Sequence, residues 1–277
     1  MRVGARVEGG LASVGKLRIA YESAGTGAPA VMLIHGAFAD RTHFAPQISH
    51  LARHRRVVAL DLRGHGESDT PQKVSVEDFA ADVIAVAEDA RIESAVLCGH
   101  SAAGAVALIV AAARPELVRG IVMLDSAVLF PEVRRQNVIE NLLPALETDH
   151  WQDALRGYFG RTFDPQDPPE LTARVMAGLG RTSPEIARSF FMSLFAEHGA
   201  DFSDAIKDLN CPLMYIHAKA PTDLQRLLEL RPNAMIGQVV GSGHYLMLSV
   251  PDQVNAMIDR FLETVPAPLQ PEVHRRS

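Results

Sequence analysis

Three short strings carry side chains suited to nucleophilic chemistry at a carbonyl carbon. The first, Gly99–His100–Ser101–Ala102–Ala103–Gly104, follows the apolar run Ala95–Val96–Leu97–Cys98 and opens a very apolar stretch of helical character. A serine at the corner between a buried strand and a buried helix sits on a tight bend whose neighbours must be small. Its hydroxyl is pushed out above the carboxyl edge of the sheet. Gly99, Ala103 and Gly104 supply that smallness, although Ala103 stands where the common form of this elbow has glycine. The helix starting at Ala102 adds unpaired N–H groups and a positive dipole end beside the hydroxyl. Alone, Ser101 leaves the plainer reading of a helix N-cap open. The other two strings tip the reading towards a nucleophile.

Val239–Val240–Gly241–Ser242–Gly243–His244 ends a strand in a turn of small residues. A histidine there can reach the mouth of the sheet, and an imidazole with an unperturbed pKa near 6.5 suits proton exchange with a serine hydroxyl. The third string, His35–Gly36–Ala37–Phe38, follows the apolar run Ala30–Ile34. Acyl transfer needs two backbone donors preset for the developing oxyanion. The N–H groups of Ala102 and Ala37 are the expected pair. His35 is read as holding its turn, and His100 as shaping the elbow.

The elements that must position these strings alternate in type. Ala30–Ile34, Val57–Leu60, Ala95–Cys98, Ile121–Leu124 and Leu213–Ile216 are continuous apolar runs, the mark of strands buried on both faces. Between them lie stretches of helical periodicity at Arg41–Ala52, Val76–Ala90 and Ala102–Ala113, with Thr222–Leu230 and Pro251–Thr264 later in the chain. Val14–Ala24 is expected as a strand of an opening hairpin, and Met235–Val240 as the last strand. Strand and helix in regular succession predict an α/β fold: a mostly parallel sheet covered on both faces. From Phe130 to Leu209 the rhythm stops, and only helical pieces broken by prolines are found. The expected organisation is a core from 1–128 and 210–265, a helical cap over 129–209, and a loose tail over 266–277.

Composition sets the outer bounds. The chain has 277 residues, enough for a sizeable core without disulfide or metal. A net charge of −6 without long blocks of one sign excludes the basic stripe of a nucleic-acid binder. The short clusters Arg53–His54–Arg55–Arg56 and His274–Arg275–Arg276 read as solvated. Cys98 and Cys211 fall in apolar runs and read as buried and inert. Met1–Gly10 lacks a signal-peptide core, and no apolar run has membrane-spanning length, so a cytoplasmic enzyme without membrane contact is expected. The eleven histidines show no metal-ligand spacing and no glycine-rich phosphate cradle is present, so no metal or organic cofactor is expected.

With His35–Gly36, Asp61–Leu62–Arg63–Gly64–His65–Gly66–Glu67–Ser68, the Ser101 elbow and Gly241–Ser242–Gly243–His244 in this order, the chain resembles the α/β-hydrolase family from about Tyr21 to Leu262. The resemblance implies a Ser–acid–His order for the triad and a variable cap between two late strands, and the string from Asp61 to Ser68 reads as structural. In many relatives the acid follows the strand after the cap, but here that segment runs Tyr215–Ile216–His217–Ala218–Lys219–Ala220 and holds no carboxylate. Asp223 comes next, yet it stands at the start of a helix, where the dipole alone explains a carboxylate. The other candidate is Asp125, at the end of the strand before the cap, the position used by haloalkane dehalogenases and cofactor-free quinolone dioxygenases. Asp125 is favoured, with Asp223 kept open, because orienting an imidazole needs geometry rather than chain order.

The implied reaction is hydrolysis of a small apolar carboxylic ester or lactone through an acyl-serine intermediate. Two other readings share the fold: cofactor-independent oxygenation of a quinolone-like heteroaromatic, and a triad-bearing ligand receptor with little turnover. Against the oxygenase, Ala37–Phe38 stands where that family has a tryptophan. Aromatics of the cap, among them Phe130, Trp151, Phe159, Phe163, Phe190, Phe191 and Phe195, can line an apolar pocket or form the cap's own core.

Overall fold

The computed structural model describes residues 7–266. The expected loose tail from residue 267 onward, with His274–Arg275–Arg276, lies outside the described residues, as does the start of Met1–Gly10. Eight strands form one sheet: β1 (Val7–Val14), β2 (Leu17–Ala24), β3 (Ala30–Ile34), β4 (Val57–Leu60), β5 (Ala95–His100), β6 (Val118–Leu124), β7 (Leu213–His217) and β8 (Met235–Gln238). Their spatial order is β1-β2-β4-β3-β5-β6-β7-β8. β1 and β2 pair antiparallel, β2 meets β4 antiparallel, and every pairing from β4 to β8 is parallel. This is the mostly parallel sheet of an α/β-hydrolase fold.

The apolar runs explain the layering. All five residues of β3 are buried, but alternate side chains leave opposite faces, so Val31 and Leu33 join one core while Met32 and Ile34 join the other. One face is covered by α2 (Val76–Asp89) and α3 (Ala103–Ala113). The other is covered by α1 (Ala45–Leu51) and the late helix Pro251–Leu262. α2 starts cleanly because Ser75 and Asp78 form a reciprocal capping box, the hydroxyl accepting from the Asp78 N–H and the carboxylate from the Ser75 N–H. Its buried stripe is Val76, Phe79, Val83, Val86 and Ala87. Cys98 and Cys211 are both buried and free, and burial raises the pKa of each thiol, that of Cys211 to about 11.

Between β6 and β7 the chain forms α4 (Glu132–Asn137), α5 (Leu143–Ala145), α6 (Trp151–Gly160), α7 (Pro169–Leu179), α8 (Pro184–Phe191) and α9 (Ser203–Lys207). One-turn π segments sit at Val138–Leu142 and Met192–Glu197. After β7 come α10 (Leu224–Leu230), α11 (Leu246–Ser249) and α12 (Pro251–Leu262). Several expected boundaries shift. The opening hairpin turns at Gly15–Lys16, so Val14 ends β1 rather than starting β2, because Gly15 supplies the positive φ of a two-residue turn. The Arg41–Ala52 stretch opens as a 3-10 turn capped by Asp40 before Pro46 allows α1. β8 stops at Gln238, where pairing with β7 ends at His217.

Candidate active site

Ser101 sits where the chain leaves β5 for α3 in a left-handed conformation, with φ of 57°. That region is unfavourable for a residue with a β-carbon and persists only when neighbours over-determine it. Here the Ser101 N–H donates to the Leu124 carbonyl at 2.9 Å, extending the β5–β6 ladder into the bend. The bend is so close that a β-carbon on Gly99 would lie 2.4 Å from the Ala103 carbonyl oxygen.

Asp125 directly follows β6 and also has positive φ, at 45°. Its buried carboxylate lies between two segments from distant parts of the chain. Oδ2 is 2.7 Å from His244 Nδ1. Oδ1 accepts from the N–H groups of Ala218 and Lys219, at 3.0 and 3.2 Å. The Ala218–Lys219 turn directly after β7, which holds no carboxylate, therefore donates backbone N–H groups to the carboxylate after β6. With Nδ1–H directed at Asp125, His244 presents an Nε2 lone pair able to take a proton. Asp223 is elsewhere: it caps α10 by accepting from the Arg226 N–H at 3.0 Å and borders a separate surface depression with Asp201 and Arg226.

Ala37, Ser101, Ala102, Asp125 and His244 all line one cavity of about 650 Å³. Among the described residues, no hydrogen bond engages the Ser101 hydroxyl, and none joins it to the imidazole. Such contacts are often long in an unliganded site and tighten around substrate. The N–H groups of Ala37 and Ala102 likewise donate to nothing among the described residues, so both are available to an incoming oxygen. Gly36 permits the approach of this turn to the elbow, since a β-carbon there would lie 2.9 Å from both Ser101 Cβ and His100 Nδ1.

Several further residues hold this geometry: His35, His65 and His100 in the structural roles the sequence assigns them, and Thr162 and Asp167, which carry no signal in the sequence. His65 Nε2 accepts from the Phe38 N–H at 2.9 Å while its Nδ1–H donates to the Arg63 carbonyl. His35 Nδ1–H donates to the Gly36 carbonyl at 2.7 Å, and its Nε2 accepts from the Leu62 N–H. The two imidazoles thus tie the turn after β3 to the loop after β4. The helical block also grips the His244 loop. The Thr162 carbonyl accepts from the His244 N–H at 2.9 Å, and the buried Asp167 carboxylate accepts from the Gly243 N–H and the Ser249 hydroxyl, at 3.1 and 2.7 Å. His100 donates from Nε2 to the His244 carbonyl at 3.0 Å, and its ring lies 4.6 Å from that of His244. Of the aromatics expected near a pocket, Phe130, Phe159, Phe190, Phe191 and Phe195 line the cavity. Trp151 does not line it, and Phe163 stacks on Tyr245 instead.

Burial holds the pKa of His35 down to about 4 and that of His65 to about 3, from 6.5. Each neutral ring already donates from one nitrogen and accepts at the other, so a second proton would break the bond to Leu62 or Phe38. In the unfolded chain both protonate near 6.5, while the folded chain stays neutral until much lower pH. Their contribution to stability is therefore complete above pH 6.5 and is lost progressively as pH falls towards about 4. Melting temperatures followed by circular dichroism are expected to be flat above neutrality and to fall steadily below pH 6.5. His65→Gln is expected to melt lower at pH 8 but to show a shallower slope. An unchanged slope in that variant counts against this account.

A family model described as the alpha/beta hydrolase family matches residues 31–257. A Haemophilus influenzae protein described as a putative esterase/lipase is 27% identical over 253 residues, covering 84% of this chain and 83% of its own length. The (E)-2-((N-methylformamido)methylene)succinate hydrolase of Acinetobacter baylyi is 25% identical over 255 residues, covering 89% and 94%. Among solved structures, the enol-lactonase from Burkholderia xenovorans aligns with a TM-score of 0.79 at 22% identity, covering 92% of this chain and all of that one. An N-acyl homoserine lactone degrading enzyme also aligns at 0.79, with 20% identity and 91% of this chain covered. At these identities the structural matches speak for the fold.

Proposed function

The chain belongs to the alpha/beta hydrolase family, and from that membership we propose that it is a serine hydrolase cleaving a small carboxylic ester or lactone through an acyl-serine intermediate. The observation that carries this reading is the 2.7 Å contact between His244 Nδ1 and the buried Asp125 carboxylate, in the cavity that Ser101 also lines. The esterase and lactonase names among the relatives support the choice of substrate class.

In the proposed cycle the Ser101 oxygen attacks the carbonyl carbon while His244 Nε2 takes the hydroxyl proton. Asp125 holds the imidazole in the required tautomer and stabilises its protonated form. The carbonyl oxygen becomes an oxyanion and accepts from the N–H groups of Ala37 and Ala102, each donor of this kind being worth about 10²–10³ in rate. Collapse breaks the bond to the leaving oxygen, which receives the proton from His244. A water then gives its proton to His244 and attacks the acyl-serine, and the acid departs with Ser101 restored. The positive dipole end of α3 adds to the stabilisation of negative charge at this point. The helical block between β6 and β7 serves as a cap over the acyl and alcohol portions, with its phenylalanines forming the apolar wall.

Labelling with a fluorophosphonate probe, followed by peptide mass spectrometry, tests the assignment beside a screen of short 4-nitrophenyl esters. A single adduct on Ser101 and measurable ester turnover are expected. An unlabelled Ser101 together with oxygen uptake on a hydroxyquinolone would end the hydrolase reading, and labelling without turnover on any ester would favour a ligand receptor.

A further inference from the structure

The cavity wall is divided between apolar side chains and unpaired cations. Phe130, Phe159, Phe190, Phe191, Leu194 and Phe195 give most of its surface an apolar character. Arg134, at the start of the helical block, and Arg161, at the end of α6, also line it. Other arginines of the block are engaged. Arg135 pairs with Glu132, Arg156 with Asp153, Arg181 with Asp40 and Arg188 with Glu147, while Arg174 donates to the Thr42 hydroxyl. Among the described residues, the guanidinium groups of Arg134 and Arg161 make no hydrogen bond or ion pair.

The cavity's own chemistry offers them no partner. Asp125 is the one carboxylate in the lining, and it is already committed to His244 and to two backbone N–H groups. The third lining cation, Lys219, is held by Asp164 at 3.1 Å. Tyr158, near enough to Arg134 to feel its charge, also lines the cavity, and its hydroxyl has no hydrogen bond among the described residues. In a chain of net charge −6 this is a local concentration of unanswered positive charge beside an apolar interior.

We propose that the substrate is amphipathic: an ester or lactone whose apolar body fills the phenylalanine-lined interior and whose far end carries a carboxylate received by Arg134 and Arg161. The proposal rests on the hydrolase reading above and narrows its substrate class. Guanidinium groups present planar pairs of donors that match the two oxygens of a carboxylate, and Tyr158 adds a neutral donor beside them. Both arginines are solvent-exposed, so water screens the attraction and the preference is set at about tenfold rather than several orders of magnitude.

The test compares mono-4-nitrophenyl adipate with 4-nitrophenyl hexanoate, whose acyl chains are of equal length and differ in the terminal carboxylate. The intact chain is expected to show a kcat/KM about tenfold higher for the adipate ester at low ionic strength, with the ratio shrinking as sodium chloride is added. The double variant Arg134→Gln/Arg161→Gln is expected to bring the ratio close to one, while Arg188→Gln, an arginine paired outside the cavity, keeps it. A ratio at or below one in the unmodified chain, with both esters hydrolysed, overturns the carboxylate proposal and leaves the hydrolase reading intact. If neither ester is hydrolysed, it is the hydrolase reading that fails. Titration of Ser101→Ala with the two esters then decides the binding proposal without turnover. Tighter binding of the adipate ester, lost on adding the two arginine substitutions, supports it; equal binding overturns it.

Discussion

Replacing Ser101 by alanine is expected to lower kcat on a turned-over ester by about 10⁴–10⁶-fold while leaving the fold and substrate affinity nearly unchanged. The size follows from the proposed role: without the hydroxyl no acyl-enzyme forms, and the base has no proton to take. What survives is direct attack by water, helped only by the N–H groups of Ala37 and Ala102 and by binding. The folded state should tolerate the change. Ser101 donates its backbone N–H to Leu124, and that bond is kept, while its hydroxyl has no partner among the described residues to lose. Alanine does inherit the positive φ of 57°, which costs a residue with a β-carbon about the same as it costs serine. Steady-state kinetics with the leaving group followed by absorbance, beside a thermal melt, measures both quantities. A variant retaining a tenth of the original kcat would remove Ser101 from the chemistry.

The second large effect separates two carboxylates. Asp125→Asn is expected to reduce kcat by about 10⁴-fold, because an amide can offer its N–H to His244 Nδ1 and so favour the tautomer with its proton on Nε2. The proton would then sit on the nitrogen that must receive one. Some stability is lost as well, since the Ala218 and Lys219 N–H groups face a neutral oxygen instead of a charged one. Asp223→Asn is expected to leave kcat within about twofold, asparagine being as good an N-cap as aspartate for α10. The two variants measured side by side on one ester give the answer. Loss of turnover in Asp223→Asn with Asp125→Asn unaffected would reverse the assignment.

How much of this was legible in the chain follows from how local each signal is. The strands β3 to β7 announce themselves because burial on both faces leaves uninterrupted apolar runs, and the elbow at Ser101 is readable because a tight bend demands small neighbours within a few positions. The hairpin turn at Gly15–Lys16 is hard to read, since the strands are separated by two residues and Gly15 is the one turn-forming residue between them. The acid was ambiguous for a different reason. An imidazole is oriented by whichever carboxylate reaches it, and Asp125 lies 119 positions away from His244. The same holds for His65, which supports Phe38 across 27 positions, and for Asp167, which supports Gly243 across 76. His65 falls within the Asp61–Ser68 string, but which residue each of these groups supports leaves no periodicity or motif. Arg134 and Arg161 were invisible as a pair, because what sets them apart is the absence of acidic neighbours that other arginines of the block possess.

The grip of Thr162 and Asp167 on the loop bearing His244 has a bearing on how this enzyme could be re-engineered. Grafting a helical block from another family member, with crossover points after β6 and before β7, would exchange the pocket wall but also strip the segment around His244 of three hydrogen bonds it donates to residues 162–167. A viable chimaera has to carry residues 162–167 and 243–249 as one inherited unit, although some eighty positions divide them in the gene product. Swapping specificity here is a two-segment transplant.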